Sequence, residues 1–331
     1  FGVGLGLIKS KANEFLNGNV VLFAVPAEET IENEFRINLI DEGKLGFISG
    51  KQELIRLGSF DDIDAAMLSH ATSKQSDGDL AVGGTSLGHL VKYVEFFGLA
   101  SHAAGAPQDG INALKAANIA MMAMDSQRES FEDKDKVRVH GILTAGGTSV
   151  NSIPSIAKLE WRIRGRTIDV VNKINTKIDR SIKAGAMAMG AKVRIRSIAG
   201  NLPMLQNKHM NNIYLNNAKN IVGKNNVILH PDDQSGGSTD MGDLSQILPI
   251  IHPRSGGAEG TGHGNNYFIK DYEKSVINPA KAMATTIIDL LWPDDMQINE
   301  VINNYKPNYS ISEYIALQNK RMGNDFNDYT S

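Results

Sequence analysis

The stretch Lys158-Leu159-Glu160-Trp161-Arg162-Ile163-Arg164 alternates charged and apolar side chains without a break. A period of two places Leu159, Trp161 and Ile163 on one face of a strand and the charges on the other, so the strand has one dry and one wet face. The same alternation sets Val137 and Val139 among Lys136, Arg138 and His140, and Val193 and Ile195 among Lys192, Arg194 and Arg196. An aromatic-rich strand over residues 90–99 precedes them. A helix near 111–124 and a clearer one carrying Val171, Ile174, Ile178 and Ile182 at helical spacing lie between. The order β-α-β-β-α-β is the ferredoxin-like arrangement and predicts an inserted α+β domain over residues 85–202.

Outside that insert the pattern is α/β. A helix-like stretch over 3–16 leads to Val20-Val21-Leu22-Phe23-Ala24-Val25, an unbroken apolar run ended by Pro26. Such a run predicts a central parallel strand buried on both faces. A similar strand over 63–68, ending at Ser69-His70, follows a helical segment at 52–57. Beyond Pro203 come helices near 210–221, 240–247 and 273–291 and a short apolar segment at 248–252. The first domain is therefore expected to be discontinuous, 1–84 with 203–291, around a parallel-rich sheet. Residues 292–331 are polar and Asn-rich, with a short helix near 311–318, and read as a C-terminal extension.

The chain has 331 residues, more than the roughly 250–300 at which single cores stop growing, which also favours two domains. Its 34 basic and 37 acidic residues leave a net charge of -3, which argues against nucleic acid or an anionic membrane as a main partner. No apolar run approaches the roughly 18 residues of a membrane helix, so a cytoplasmic protein is expected. With no cysteine in the chain, a metal here must be held by His, Asp or Glu. The first residue is Phe1 rather than Met, which raises the expectation of a fragment or a processed chain.

Four places carry residues suited to chemistry. Glu28 and Glu29 follow the 20–25 run directly, where open α/β sheets bind ligands. Metal-assisted hydrolysis uses one carboxylate on the metal and a second to take a proton from water; a solvated acidic loop is the competing reading. His70 ends a strand, as a ligand or as a packed histidine. His263 lies in Gly256-Gly257-Ala258-Glu259-Gly260-Thr261-Gly262-His263-Gly264, a loop without large apolar residues, built for close approach to a ligand or merely flexible. His102 closes the aromatic strand of the insert and must act from a lid or a second subunit if it joins the others. In Gly237-Ser238-Thr239-Asp240-Met241-Gly242-Asp243, helix capping is the plain account of Ser238, Thr239 or Asp240.

Two other motifs fail on context. Gly84-Thr85-Ser86-Leu87-Gly88 matches a nucleophile elbow, but a strand follows it where a helix is required. Gly2-x-Gly4-x-Gly6 has neither the spacing nor the preceding strand of a dinucleotide fingerprint, and close helix packing explains it more simply.

Taken in order, Val20-to-Glu29 with its Pro-Ala-Glu-Glu ending, His70, the 98–114 segment with His102-Ala103-Ala104, the 146–154 segment, Gly237-to-Asp243 and Gly262-His263 resemble the dinuclear-metal peptidases. That family includes aminoacylase, carboxypeptidase G-type enzymes and p-aminobenzoyl-glutamate hydrolase, and the Gly-Ser-Thr-Asp-Met-Gly-Asp segment is most similar to the last branch. The resemblance implies a metal-dependent amidohydrolase acting on a small N-acyl amino acid, an aminobenzoyl-glutamate-like compound or a dipeptide. It implies Glu28 as general base and acid, Glu29, His70 and His263 as metal ligands, and His102 as an oxyanion donor in the partner's active site. Asn151, Arg164 and Asp240 fall on the substrate side, with Arg162 and Arg166 flanking Arg164. Two zinc, manganese or cobalt ions per complete subunit and a homodimer through 85–202 follow from the same resemblance. The family's upstream His and Asp or Cys ligands have no counterpart here, and three ligands hold one catalytic zinc rather than two. A metal-defective scaffold or binding protein of the same fold is the rival reading, and a dinucleotide-dependent oxidoreductase built on Gly2 to Gly6 a weaker one.

Overall fold

A computed structural model describes residues 1–29, 31–294 and 296–330, leaving aside the side chains of 232–234. It divides into two units. Unit 1 comprises Phe1–Ser86, Met204–Ser235 and Thr239–Ile311; unit 2 comprises Leu87–Pro203, Gly236–Ser238 and Ser312–Ser331.

Unit 2 realises the β-α-β-β-α-β order. Its strands Gly88–Phe97, Arg138–Ala145, Ile156–Gly165 and Lys192–Ala199 are joined through the helices Ala113–Ser126 and Ile168–Met189. All pairings are antiparallel, with Lys192–Ala199 beside Gly88–Phe97, then Ile156–Gly165, then Arg138–Ala145 at one edge. The alternating residues turn their dry face to the helices: Val94, Phe96, Leu159, Ile163 and Val193 are buried with Val171, Ile174, Ile178 and Ile182. Each fully buried aliphatic side chain contributes about 1.5–3 kcal/mol. The two helices approach closely because residue 185 is glycine; a Cβ there would lie 2.4 Å from the Ala116 carbonyl oxygen. A fifth strand, Gly323–Asp328, pairs antiparallel with Lys192–Ala199 and closes the other edge. The stretch after Trp292, read from sequence as an extension, thus supplies the helices Gln297–Asn304 and Ile311–Arg321 and this edge strand.

Unit 1 has a four-stranded sheet in the order His70–Ala71, Arg254–Ser255, Leu80–Ser86, Val227–Ser235. The first and last of its pairings are parallel and the middle one antiparallel. A short parallel pair, Ala66–Met67 with Ile250–Ile251, accompanies it. The helices Lys208–Val222 and Asn278–Leu291 contribute Met210, Tyr214, Ala218, Ala282 and Leu290 to a core that includes Leu80, Val82 and Ile251.

The strand expected over 20–25 does not form. Val20, Val21 and Leu22 are 47%, 56% and 65% exposed, and no strand among the described residues pairs with them. An apolar run becomes a central strand only with hydrogen-bonding neighbours on both edges. The helix expected over 3–16 ends at Lys9, followed by a 3₁₀ turn at Ala12–Glu14. Gly2, Gly4 and Gly6 all lie within that helix, and a Cβ on Gly2 would come 3.2 Å from Ala280 Cβ, which is a helix-packing arrangement.

Candidate active site

In unit 1 the Pro26-Ala27-Glu28-Glu29 loop lies on the start of the helix Gly50–Arg56. The Gly50 N–H donates to the Ala27 carbonyl at 3.0 Å. Only glycine allows this approach, because a Cβ on residue 50 would sit 2.1 Å from the Pro26 carbonyl oxygen. Ala27 takes a φ of +63°, a left-handed conformation that costs a non-glycine residue energy and turns the chain sharply into Glu28. The half-buried Glu28 accepts a hydrogen bond at Oε1 from Thr239 Oγ1, at 3.0 Å. Glu29 Oε1 is 3.8 Å from His263 Nε2, and both side chains are exposed. His263 itself has a φ of +62° within its glycine-rich turn.

His70 begins the strand His70–Ala71, and its Nδ1 is 2.7 Å from the Ala71 carbonyl oxygen. A carbonyl only accepts, so Nδ1 carries the proton and Nε2 keeps its lone pair, the tautomer a metal ligand needs. The His252 ring stands edge-on to His70 at 6.0 Å between centroids. Burial, followed by the nearby His70, Lys51 and Arg254, pushes the His252 pKa down to about 3. Asp240 has a fully buried side chain with both oxygens taken by Lys51, Oδ1 by Nζ at 2.6 Å and Oδ2 by the backbone N–H at 3.1 Å. Burial raises its pKa, against the lowering effect of Lys51. The substrate contact expected of Asp240 therefore has no open oxygen to use, and Asp240 stands instead as a support behind Thr239.

Carboxylate and imidazole donors suit zinc, manganese or cobalt. Glu29 and His263 come close enough to share one ion, and His70 has the right tautomer. Among the described residues, however, no three His, Asp or Glu side chains gather into a metal site. The donors present are thus an incomplete set.

In unit 2, His102 Nδ1 accepts from the backbone N–H groups of Ala104 at 3.2 Å and Gly105 at 2.9 Å. The neutral ring must then carry its proton on Nε2, as a donor. Asn151 is adjacent in the backbone, since its carbonyl accepts from Ala103 N–H at 2.9 Å. Arg164, on the strand Ile156–Gly165, donates from NH1 to Ser238 Oγ at 2.8 Å and from Nε to His140 Nε2 at 3.4 Å. These partners are a hydroxyl and an imidazole, so the guanidinium charge is not matched by a carboxylate through them. Burial and then Arg162 lower the Arg164 pKa; burial, then Arg164, Arg162 and Arg128, lower that of His140.

Sequence reasoning singled out Glu28, Glu29, His70, His263, His102, Asn151 and Arg164. It did not assign work to Ser238 or Thr239 beyond capping, nor to Lys51, His252 or His140. Thr239 was within reach, because it lies inside the Gly237-to-Asp243 segment; Lys51 was not, because nothing local in Gly50-Lys51-Gln52 marks it.

An α/β unit accompanied by a ferredoxin-like unit, with Glu28, Glu29, His70 and His263 in the first, is the arrangement that the sequence resemblance to the dinuclear-metal peptidases leads one to expect. Residues 87–188 match the peptidase dimerisation domain family, and the chain is related to the peptidases that carry this domain. Among curated relatives, the Xaa-Arg dipeptidase of Mus musculus is 30% identical over 255 residues, 73% of this chain and 56% of that protein. The crystal structure of an aminobenzoyl-glutamate utilization protein from Klebsiella pneumoniae has a TM-score of 0.63 at 20% identity, covering 89% of this chain and 67% of that one. A protein from Bacillus subtilis described as a dinuclear metal binding peptidase has a TM-score of 0.60 at 17% identity, with 88% and 69% coverage. The chain therefore spans little more than half the length of the dipeptidase it resembles. No helix among the described residues is long and apolar enough to cross a membrane.

Proposed function

We propose that this chain belongs to a metal-dependent amidohydrolase that cleaves the amide bond of a small N-acyl amino acid, an aminobenzoyl-glutamate-like compound or a dipeptide. The observation that carries the reading is the division of labour between adjacent carboxylates. Glu29 turns to His263, while Glu28 is held by a neutral hydroxyl and has no cationic partner to neutralise it through that bond. Glu28 takes a proton from the attacking water, the water oxygen bonds to the carbonyl carbon, the C–N bond breaks, and Glu28 returns the proton to the leaving amine. His102, protonated on Nε2, is assigned as donor to the developing oxyanion. Arg164 is assigned to a substrate carboxylate, which it can grip bidentately, with Asn151 beside the substrate. Glu29, His70 and His263 are this chain's donors toward zinc, manganese or cobalt, two ions per complete subunit. The dimerisation domain is the assigned route to a homodimer.

The test is turnover of p-aminobenzoyl-glutamate, N-acyl amino acids and dipeptides ending in arginine by the full-length protein supplied with zinc or manganese. Glu28→Gln is expected to lower kcat by about 10²–10⁴-fold. Absence of hydrolysis of all three classes, with Glu28→Gln changing nothing, sinks the reading. A second reading, a non-catalytic scaffold of the same fold, draws on the incomplete donor set among the described residues. Metal analysis separates the two: bound ions favour the enzyme, and a metal-free, inactive protein the scaffold.

A further inference from the structure

A general base on a loop needs something to aim it. Glu28 follows a left-handed residue and belongs to no helix or strand, so its own backbone does little to fix the carboxylate. Two ties reach its neighbourhood from the same short helix. Gly50 N–H holds the Ala27 carbonyl, and Lys51 holds both oxygens of Asp240. Between those anchors, Thr239 Oγ1 donates its single proton to Glu28 Oε1. The circuit from Ala27 and Glu28 through Thr239 and Asp240 to Lys51 and Gly50 closes on itself.

We propose that Thr239 is the positioning residue for Glu28. The hydroxyl occupies Oε1 and leaves Oε2 as the oxygen that takes the proton, while the buried Lys51–Asp240 pair keeps the hydroxyl in place. This inference rests on Glu28 being the general base. The competing role, helix capping, uses the same hydroxyl as acceptor for Met241 N–H, but at 3.4 Å and for a helix of only four residues. The better bond is the one to Glu28.

The experiment compares Thr239→Val, which keeps shape and removes the proton, with Thr239→Ser, which keeps the hydroxyl, in the full-length protein loaded with zinc or manganese and assayed on p-aminobenzoyl-glutamate. Thr239→Val should lower kcat by about 10- to 100-fold, the range for a hydrogen bond to a charged group. KM should stay within about twofold, and Thr239→Ser should recover most of kcat. Adding Thr239→Val to Glu28→Gln should cost almost nothing more, because the two act as a unit. Crystal structures of wild type and Thr239→Val provide a readout free of turnover: the Glu28 carboxylate should leave its wild-type place. If Thr239→Val keeps wild-type kcat while Glu28→Gln abolishes it, the inference falls and the proposed function stands. If Glu28→Gln keeps full activity, the proposed function falls. A Glu28 carboxylate that superposes in the two crystal structures overturns the inference whatever the kinetics.

Discussion

Acidification should destabilise unit 2 through His89, and the size of the effect follows from its surroundings. His89 is 2% exposed, and neither ring nitrogen has a hydrogen-bond partner among the described residues. Burial drives its pKa well below the ordinary value, and Arg164, Arg162, Arg321 and His140 add repulsion against a charged ring. In the unfolded chain the ring titrates near pH 6.5, as usual for histidine. Above that pH both states hold a neutral ring and the term vanishes. Below it the unfolded state binds a proton that the native state refuses, so stability falls with pH by about 1.4 kcal/mol per unit until the folded pKa is reached. Between about pH 7.5 and about pH 5 this amounts to roughly 2 kcal/mol from His89 alone. His89→Leu removes the titration and the two unpartnered nitrogens together. Leucine is the choice because Gly200 packs tightly here, where an added Cβ would meet His89 Cδ2 at 2.4 Å, leaving no room for a larger ring. Urea unfolding followed by Trp161 fluorescence in a Trp292→Phe background reads this unit. The wild type should lose roughly 2 kcal/mol more than His89→Leu over that interval, with the remaining acid response, His140 included, common to both. Equal losses in the two proteins would show that the ring is not held neutral, and would refute the reasoning.

Asp240→Ala should cost about 3–5 kcal/mol in urea unfolding, because it leaves the Lys51 ammonium buried without its partner. The double variant Lys51→Met with Asp240→Leu should regain much of that, and a loss below about 1 kcal/mol for Asp240→Ala would contradict the pairing. Gly50→Ala forces a methyl group against the Pro26 carbonyl, so it should destabilise by about 1–3 kcal/mol and lower kcat through the Glu28 loop; unchanged turnover would count against the loop geometry. Arg321 donates to the carbonyls of Gly200 at 2.9 Å and His89 at 2.6 Å. Arg321→Ala leaves both without that donor and should destabilise unit 2 by about 1–3 kcal/mol on the Trp161 signal, a result absent if residues 312–331 do not belong to this unit.

The ferredoxin-like unit was legible because each of its elements signals its own burial. Leu159, Trp161 and Ile163 name a dry face, and Val171, Ile174, Ile178 and Ile182 name the helix stripe that covers it. The edge strand Gly323–Asp328 carries no such signal, since Gly-Asn-Asp-Phe-Asn-Asp is polar and poor in β-formers. It is held by what it meets: the Arg194 guanidinium lies 5.4 Å from the Phe97 ring and 5.7 Å from Phe326, and Lys192 pairs with Asp328 at 2.9 Å. Those partners are more than a hundred residues away in the chain, beyond the reach of local pattern. The reverse happened at 20–25, where a strong apolar signal produced no strand. Hydrophobicity reports a demand for burial, whereas strand formation needs an unpaired backbone alongside.

The site divides along the same line. Carboxylates and imidazoles announce themselves by residue type, so Glu28, Glu29, His70 and His263 stand out as candidates in the sequence. A threonine hydroxyl cannot, because Ser-Thr-Asp before a helix has the composition of a cap and of a carboxylate clamp equally. Direction and distance separate the two: the hydroxyl accepts from Met241 N–H at 3.4 Å and donates to Glu28 Oε1 at 3.0 Å. The buried Lys51–Asp240 pair then gives that difference its weight. A solvated cap would gain little from a desolvated ion pair behind it, which is costly to bury. A clamp that must hold one carboxylate oxygen still during proton transfer gains rigidity from it, and that is the distinction the Thr239→Val and Thr239→Ser pair is built to read.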